Sequence, residues 1–561
     1  MTSVRHRIGR ISPAAGAAAA VIICCAINLW YFHAETHPPT FDDAWYLEIA
    51  CKLYYALRDN GPAAFYRAYA SAFLFKAPLI SVLALPPFFL FGPSHDTALL
   101  VNLAATIMLG GYVFLLGRRL FSQTAGLLAV LITLTLPLIA GLTHRFFVEI
   151  ALTAVVSAVT YHLAASDGLR RRTHVRAVGA LAGAGLLLKV LFPMFVIGAL
   201  ADVLWRRWRE SRGGFLRAVE PPLKTIVAIS GLIALTWYAH NLIYTAGYIY
   251  MASFGKVAAH YGDTRVFNPA VLFGYWHKLI ENGLSYYYFL ASAAVAAALL
   301  YRHRRGLRPL PLLISNSSLS LLLSWLLVPL FFGTVGVNKA IRFMTPALPA
   351  FSLLLAGGLD LLTRNSRLRA ALLSLFFAIP AAGYALQTFG VKLFPAVQIG
   401  PASFLKPGST YSGPPQREGL WRQQELVDWI WRETGKQETK VALGTEIGYL
   451  NSNNLNYFSA RRNYPLRFVS YGYNETRVER TLARLRDKDV DHLLLVDGLP
   501  DGILKEDVRR LETQIRELLR DRRLPFIPGP TFQLTDTISA TLHRRTAPIP
   551  LIGAPAPRRS R

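Results

Sequence analysis

Before residue 390 the chain is a succession of apolar runs of about 15 to 25 residues, and after it they thin out. A helix rises 1.5 Å per residue, so a run near 20 residues matches the hydrocarbon core of a bilayer. This pattern restricts the fold to a polytopic α-helical membrane region followed by a soluble one. The three cysteines add no constraint: Cys24 and Cys25 lie in the first run, Cys51 lies just beyond it, and none has disulfide-framework or metal-ligand spacing.

The net charge of +27 raises the possibility of nucleic-acid binding. Much of the excess, however, is arginine in short clusters between apolar runs: Arg118-Arg119, Arg170 to Arg172, Arg206-Arg207-Arg209, and Arg302 with Arg304-Arg305. Short basic loops of this kind mark the cytoplasmic side of a membrane protein. The N-terminus MTSVRHRIGR followed by residues 11 to 33 has the outline of a signal peptide, but the run ends in Trp30-Tyr31 without a small-x-small cleavage site. It reads as a retained signal-anchor span.

With the basic N-terminus inside, residues 34 to 75 lie outside. The short run Pro78 to Gly92 contains Pro86-Pro87, and a crossing there would place the next arginine clusters outside. It is therefore expected to dip in and return, or to lie in the interface. Spans follow at 96–117, 124–141, 146–166, 177–188, 190–205, 224–245, 284–301, 312–332, 343–362 and 370–389. With the first span these make about 11 crossings. The limbs 177–188 and 190–205 are short, flanked by arginines at both ends, and carry Lys189 at their tip. Residues 1–389 thus form the membrane domain, with 34–95 as its first outer loop. Residues 390–418 read as a linker. In 419–548, helix-like "QQELVDWIWRETG", "TRVERTLARLRD" and "KEDVRRLETQIRELLRD" alternate with strand-like "KVALG" and "HLLLVDG", which predicts an extracytoplasmic α/β domain. Residues 549–561 read as a disordered tail.

Ionisable residues near a bilayer cost several kcal/mol unless they face a cavity or a partner. On the expected outer side they collect as Asp42, Asp43, Glu48, Lys52 and Lys76, then His144, Arg145 and Glu149, then Lys189, His240, Lys339 and Arg342, with the amides of Asn241 and Asn338 beside them. Carboxylates that accept a proton and cations that neutralise a phosphate suit transfer from a phosphate-bearing lipid. Each residue also has a plainer reading. Asp42 and Asp43 fit a helix N-cap and first turn, and Lys76, Lys339 and Arg342 fit interfacial anchors. In "FDDAWYLEIACKLYYAL", Tyr46, Ile49, Tyr54 and Leu57 can share one side of a helix, laying it along a membrane surface.

Five segments in order resemble the GT-C class of membrane glycosyltransferases, in the group of the lipid A aminoarabinose transferase and the protein O-mannosyltransferases. They are Asp42-Asp43-Ala44-Trp45-Tyr46, Lys76-Ala77-Pro78-Leu79 with "FLFGPSHDTALLVN" after it, "HRFFVEIAL" with Glu149, "GLLLKVLFP" with Lys189, and "IRFMTPALPAF" with Arg342, Pro346 and Pro349. Asp43, Ala77, Glu149, Val190 and Phe343 depart from the family's Glu, Pro, Asp, Gly and Tyr. The resemblance implies transfer of a sugar from a polyprenyl-phosphate carrier to a glycolipid, glycan or protein hydroxyl, with inversion. It takes place on the outer face of a bacterial cytoplasmic membrane. By the resemblance, Asp42 is the general base, Asp43 its helper or the ligand of a divalent cation, and Glu149 a further acid of the site. Tyr46, Lys76, Arg145, Lys189, Lys339 and Arg342 contact substrate and its phosphate. No cofactor is required. A transporter or flippase of lipid-linked sugars is the competing class, but the paired repeats with broken helices expected of it are not seen.

Overall fold

The computed structural model describes residues 12–549 except 211–213, 254, 256–257, 259–261, 264, 306–315, 365, 392–396, 401, 405–410, 417–421, 472–476 and 505. The tail expected at 549–561 lies, from 550 on, outside the described residues. The chain divides into two compact units: residues 1–34, 69–83 and 99–415 form one, and residues 35–68, 84–98 and 416–561 the other.

The first unit is helical. Among the described residues seven helices are long and apolar enough to cross a membrane: Pro13–Ala34, His95–Leu120, Val148–Ala165, Val219–Ser253, Ser317–Val335, Ile341–Thr363 and Arg369–Phe389. Two bent pairs bring the number to nine if each is one span: Gln123–Thr135 with Pro137–Thr143, bent by 67°, and Pro269–Leu284 with Tyr286–Arg304, bent by 95°. Proline fits the first bend, because Pro137 lacks the N–H that would continue the preceding helix. The two other expected crossings are the short limbs. They form helices Arg172–Leu188 and Phe192–Glu210, joined by a tight reversal in which the Phe192 N–H donates to the Lys189 carbonyl at 2.9 Å. Pro78 to Gly92 holds helices of five and seven residues, Leu79–Leu83 and Leu85–Phe91, each too short to cross. Val148–Ala165 and Ile341–Thr363 are the two most enclosed of these helices among the described residues; in the first the glutamate, threonines and serine are all buried, and three hydroxyls donate to carbonyls four residues back. Inside the expected linker, strands β1 (Val397–Ile399) and β2 (Ala402–Phe404) pair as an antiparallel hairpin.

The second unit is built on a five-stranded sheet of β3 (Thr439–Leu443), β4 (Leu466–Ser470), β5 (His492–Asp497), β6 (Phe526–Gln533) and β7 (Ser539–Arg545), ordered β4-β3-β5-β7-β6. Strands β3, β4 and β5 are parallel, with Val441 opposite Phe468 and Ala442 opposite Leu493, whereas β7 runs antiparallel to β5 and β6. Parallel strands are covered on both faces, which is why "LLLV" in β5 is buried throughout. Ala442, Leu493, Leu482, Leu485, Ile515 and Phe526 form the core.

Helix Phe41–Ala70 begins in this unit, with a kink at Gly61-Pro62. Its buried side is Asp43, Ala44, Leu47, Ala50, Cys51 and Tyr54, while Ile49 and Leu57 are only half-buried. Contacts within its own unit hold part of this helix: Asn453 donates to the Phe41 carbonyl at 3.2 Å, Tyr55 donates to the Arg461 carbonyl at 2.7 Å, and Tyr54 meets Phe88 edge-on. Small residues at 44, 50 and 51 let the helix approach its neighbours closely beside the larger buried side chains Tyr46, Leu47, Leu53 and Tyr54.

Candidate active site

In the helical unit the structure brings three of the expected residues together. Glu149 stands in the first turn of Val148–Ala165 and is buried. Lys189 caps helix Arg172–Leu188 in extended conformation, so its side chain leaves the helix at the reversal. Its Nζ donates to Glu149 Oε1 at 2.7 Å. Arg342 lies in the 3-10 turn Ile341–Ala347, and its Nε is 3.8 Å from the same carboxylate oxygen. Two aromatic rings, Phe147 and Phe343, flank the cations. Lys189 Nζ sits 4.0 Å above the Phe343 ring, and the Arg342 guanidinium 4.8 Å from Phe147 and 5.5 Å from Phe343. Ring faces attract cations without neutralising them. Two cations thus converge on one carboxylate in a site largely screened from water, an arrangement suited to holding an anion.

The turn before Glu149 is held by neighbours that the sequence does not point to. Asn102 donates to the carbonyls of Thr143 and Arg145 at 3.0 and 2.7 Å. His144 stacks on Tyr31, centroids 3.6 Å apart, and its Nε2 lies 3.0 Å from Asn28 Oδ1. These contacts assign His144 to packing. Arg145, a candidate partner of Glu149, makes no ion pair among the described residues; Lys189, closer to the carboxylate, occupies that place. Lys339 is 3.4 Å from the Gly333 carbonyl, also donates to the Thr334 carbonyl and lies over Tyr275, so it caps the helix ending at Val335. Lys76 is half-buried and follows Phe73 and Leu74, both at positive φ.

The acid pair belongs to the other unit. Asp43 is fully buried, with its Oδ1 3.7 Å from His95 Nε2; Asp42 is partly exposed and Tyr46 buried. His95 is a residue that sequence reasoning missed, although it lies in the resembling segment "GPSHDTALLVN". Phe147 and Phe343 were likewise legible only as aromatics next to cations. Among the described residues no group of three or more His, Cys, Asp and Glu side chains could hold a metal ion.

Residues 75–237 match the family model for dolichyl-phosphate-mannose-protein mannosyltransferases. No curated protein matches the chain. The structure of ArnT from Cupriavidus metallidurans bound to undecaprenyl phosphate superposes with a TM-score of 0.58 at 13% identity, covering 94% of this chain and 97% of that one. The Archaeoglobus fulgidus oligosaccharyltransferase tethered to an acceptor peptide superposes at 0.51 with 13% identity, over 85% of this chain and 69% of that one. The chain has a GT-C fold. The family match takes in Lys76, Arg145, Glu149 and Lys189. It stops short of Arg342 and begins after Asp42 and Asp43. Within the GT-C frame, the triad therefore joins two matched residues to one beyond the match.

Proposed function

We propose that this protein is a membrane glycosyltransferase that moves a sugar from a polyprenyl-phosphate carrier to an acceptor hydroxyl. The observation that carries this reading is the convergence of Lys189 and Arg342 on buried Glu149 in a unit of membrane-length helices. In the proposed reaction the acceptor oxygen attacks the anomeric carbon and gives its proton to Asp42. The new glycosidic bond forms as the bond from that carbon to the phosphate oxygen breaks. Its electron pair stays on the phosphate, which departs with the polyprenyl chain, and the configuration inverts. Lys189 and Arg342 neutralise the charge developing on the phosphate. Glu149 acts as a positioning residue, because its carboxylate already holds Lys189. Lys76 is a further phosphate contact, and Asp43 orients the acceptor.

The arginine clusters support an extracytoplasmic face of a bacterial cytoplasmic membrane for this chemistry, and an extracytoplasmic α/β domain. No cofactor enters the scheme; transfer that survives chelation of divalent cations separates it from one in which Asp43 ligates a metal. Asp42→Asn in the reconstituted full-length protein tests the reading. We expect transfer from the lipid-linked donor to fall by about a thousandfold, with folding intact. A folded variant with full transfer defeats the assignment. In a deletion strain, mass spectrometry of the envelope glycans should find a single sugar missing. Accumulation of inward-facing donor would point to a flippase instead.

A further inference from the structure

The α/β unit carries an open cleft of about 470 Å³ that the proposed reaction does not use. Its volume falls within the range of about 300–1,000 Å³ typical of small-molecule sites. On one wall Trp431 and Tyr464 stack almost flat, with centroids 4.9 Å apart and planes at 16°. On the other, the Arg422 guanidinium lies 5.1 Å from the Phe532 ring.

Two helix ends shape the aromatic wall. Helix Gln423–Glu433 closes through Gly435 and Lys436, both left-handed, with the Lys436 N–H donating to the Trp431 carbonyl at 3.1 Å. Glycine adopts this conformation freely and lysine does so at a cost, which sets Trp431, Arg432 and Lys436 around one rim. Helix Ser452–Arg461 closes through left-handed Asn463, and the Tyr464 N–H donates to the Ser459 carbonyl at 3.0 Å.

The charges in the cleft are unequal. Glu425 is paired with Arg422, and Asp428 with Arg462 at 3.4 Å while accepting from Gln424 at 3.2 Å. Burial, together with the Asp428 carboxylate beside it, pushes the Tyr464 hydroxyl above the usual tyrosine range. Both carboxylates are thus engaged. Arg432 and Lys436 line the cleft, are exposed, and make no ion pair among the described residues. A flat aromatic pair beside two cations complements a ring with an apolar face and an anionic substituent. The C–H face of a pyranose packs on the aromatic rings, and a phosphate or carboxylate on the sugar meets the cations.

We propose that this cleft binds an anionic saccharide, a sugar ring bearing a phosphate or a carboxylate, and so docks the acceptor. Its identity as acceptor rests on the transferase reading; the binding itself does not. The test is saturation-transfer NMR on the full-length protein in nanodiscs, titrated with glucose 6-phosphate, glucuronate, glucose and inorganic phosphate. Glucose 6-phosphate or glucuronate should bind about tenfold tighter than glucose or phosphate alone, and whichever binds tighter identifies the anion. Trp431→Ala should weaken that binding about tenfold, Trp431→Phe by only about twofold. The double variant Arg432→Glu with Lys436→Glu, at exposed positions, should erase the preference over glucose. Unchanged binding by folded Trp431→Ala overturns the proposal, as does inorganic phosphate binding as tightly as the sugar phosphate. Weakened binding with an unchanged KM for acceptor overturns the docking role. Intact binding in a protein that transfers no sugar sustains the cleft and defeats only the transferase reading.

Discussion

Among the described residues of the helical unit, two buried carboxylates each meet two cations, and they differ in where the cations come from. Asp360 takes Arg364 from one turn on, at 3.3 Å, and Arg369 from the start of the next helix. The Ser122 hydroxyl, which caps helix Gln123–Thr135, donates to it at 2.8 Å. The guanidiniums of Arg364 and Arg369 remain 48% and 28% exposed, so water shares their charge. Glu149 draws Lys189 from a point forty residues away and Arg342 from a separate 3-10 turn. Those cations are only 16% and 19% exposed and lie against phenyl rings. At Asp360 the cations face solvent and tie helix ends together. At Glu149 they are held away from water.

Neutralising the two carboxylates should separate them most clearly. Glu149→Gln removes the carboxylate on which two desolvated cations converge, at a cost of about 3–5 kcal/mol. Asp360→Asn leaves its arginines free to turn to solvent and should cost about 1 kcal/mol. Thermal unfolding of both variants in one detergent measures this, and equal losses would break the comparison. Activity gives the next contrast. Lys189→Met should lower kcat for lipid-linked transfer by about 10²–10³-fold, whereas Arg364→Met should leave it within about twofold. A comparable loss at Arg364 would mean that both clusters serve the reaction.

The sequence carried the membrane spans because hydropathy is local: nine of the expected crossings coincide with the straight or bent apolar helices. It carried β3 and β5 for the same reason. It missed β6, "FIPGPTFQ", because two prolines argue against a strand; here the strand is the sheet edge and shifts register between Pro528 and Thr531. It missed helix Ser452–Arg461, whose asparagine-rich first turn reads as loop but is a capping box made by Asn451 and Asn454. Glu149, Lys189 and Arg342 could be singled out one by one as ionisable groups in apolar surroundings. That Lys189, and not neighbouring Arg145, holds Glu149 depends on the direction in which the hairpin reversal sends the side chain. No spacing in the sequence encodes that.

A half-buried carboxylate with no cation partner among the described residues gives a third case. Glu446, in the loop after β3, meets Ser452 and Ser470, and burial pushes its carboxyl up from 4.5 to about 7. A raised acid is more readily protonated folded than unfolded. Its stabilising contribution is therefore complete below pH 4.5 and lost as pH rises through about 7. The α/β unit should lose up to roughly 3 kcal/mol between about pH 4.5 and about pH 7, and Glu446→Gln should flatten that slope. Parallel unfolding-against-pH curves for the two proteins would show that the carboxyl is not strained by burial.

The smallest expected effect isolates the rings, which flank the cations at Glu149 and, among the described residues, are not found over the cations at Asp360. Phe343→Leu keeps the apolar volume but removes the quadrupole 4.0 Å below Lys189. A cation over a desolvated ring is worth about 0.5–2 kcal/mol. If the ring holds the ammonium toward the phosphate, kcat should fall by only about two- to tenfold. Folding should be preserved, because Glu149 still anchors the lysine at 2.7 Å. Phe343→Tyr keeps the face and should restore the rate. Should leucine and tyrosine behave alike, the ring is filler, and what distinguishes the Glu149 cluster from the Asp360 cluster reduces to the exclusion of water.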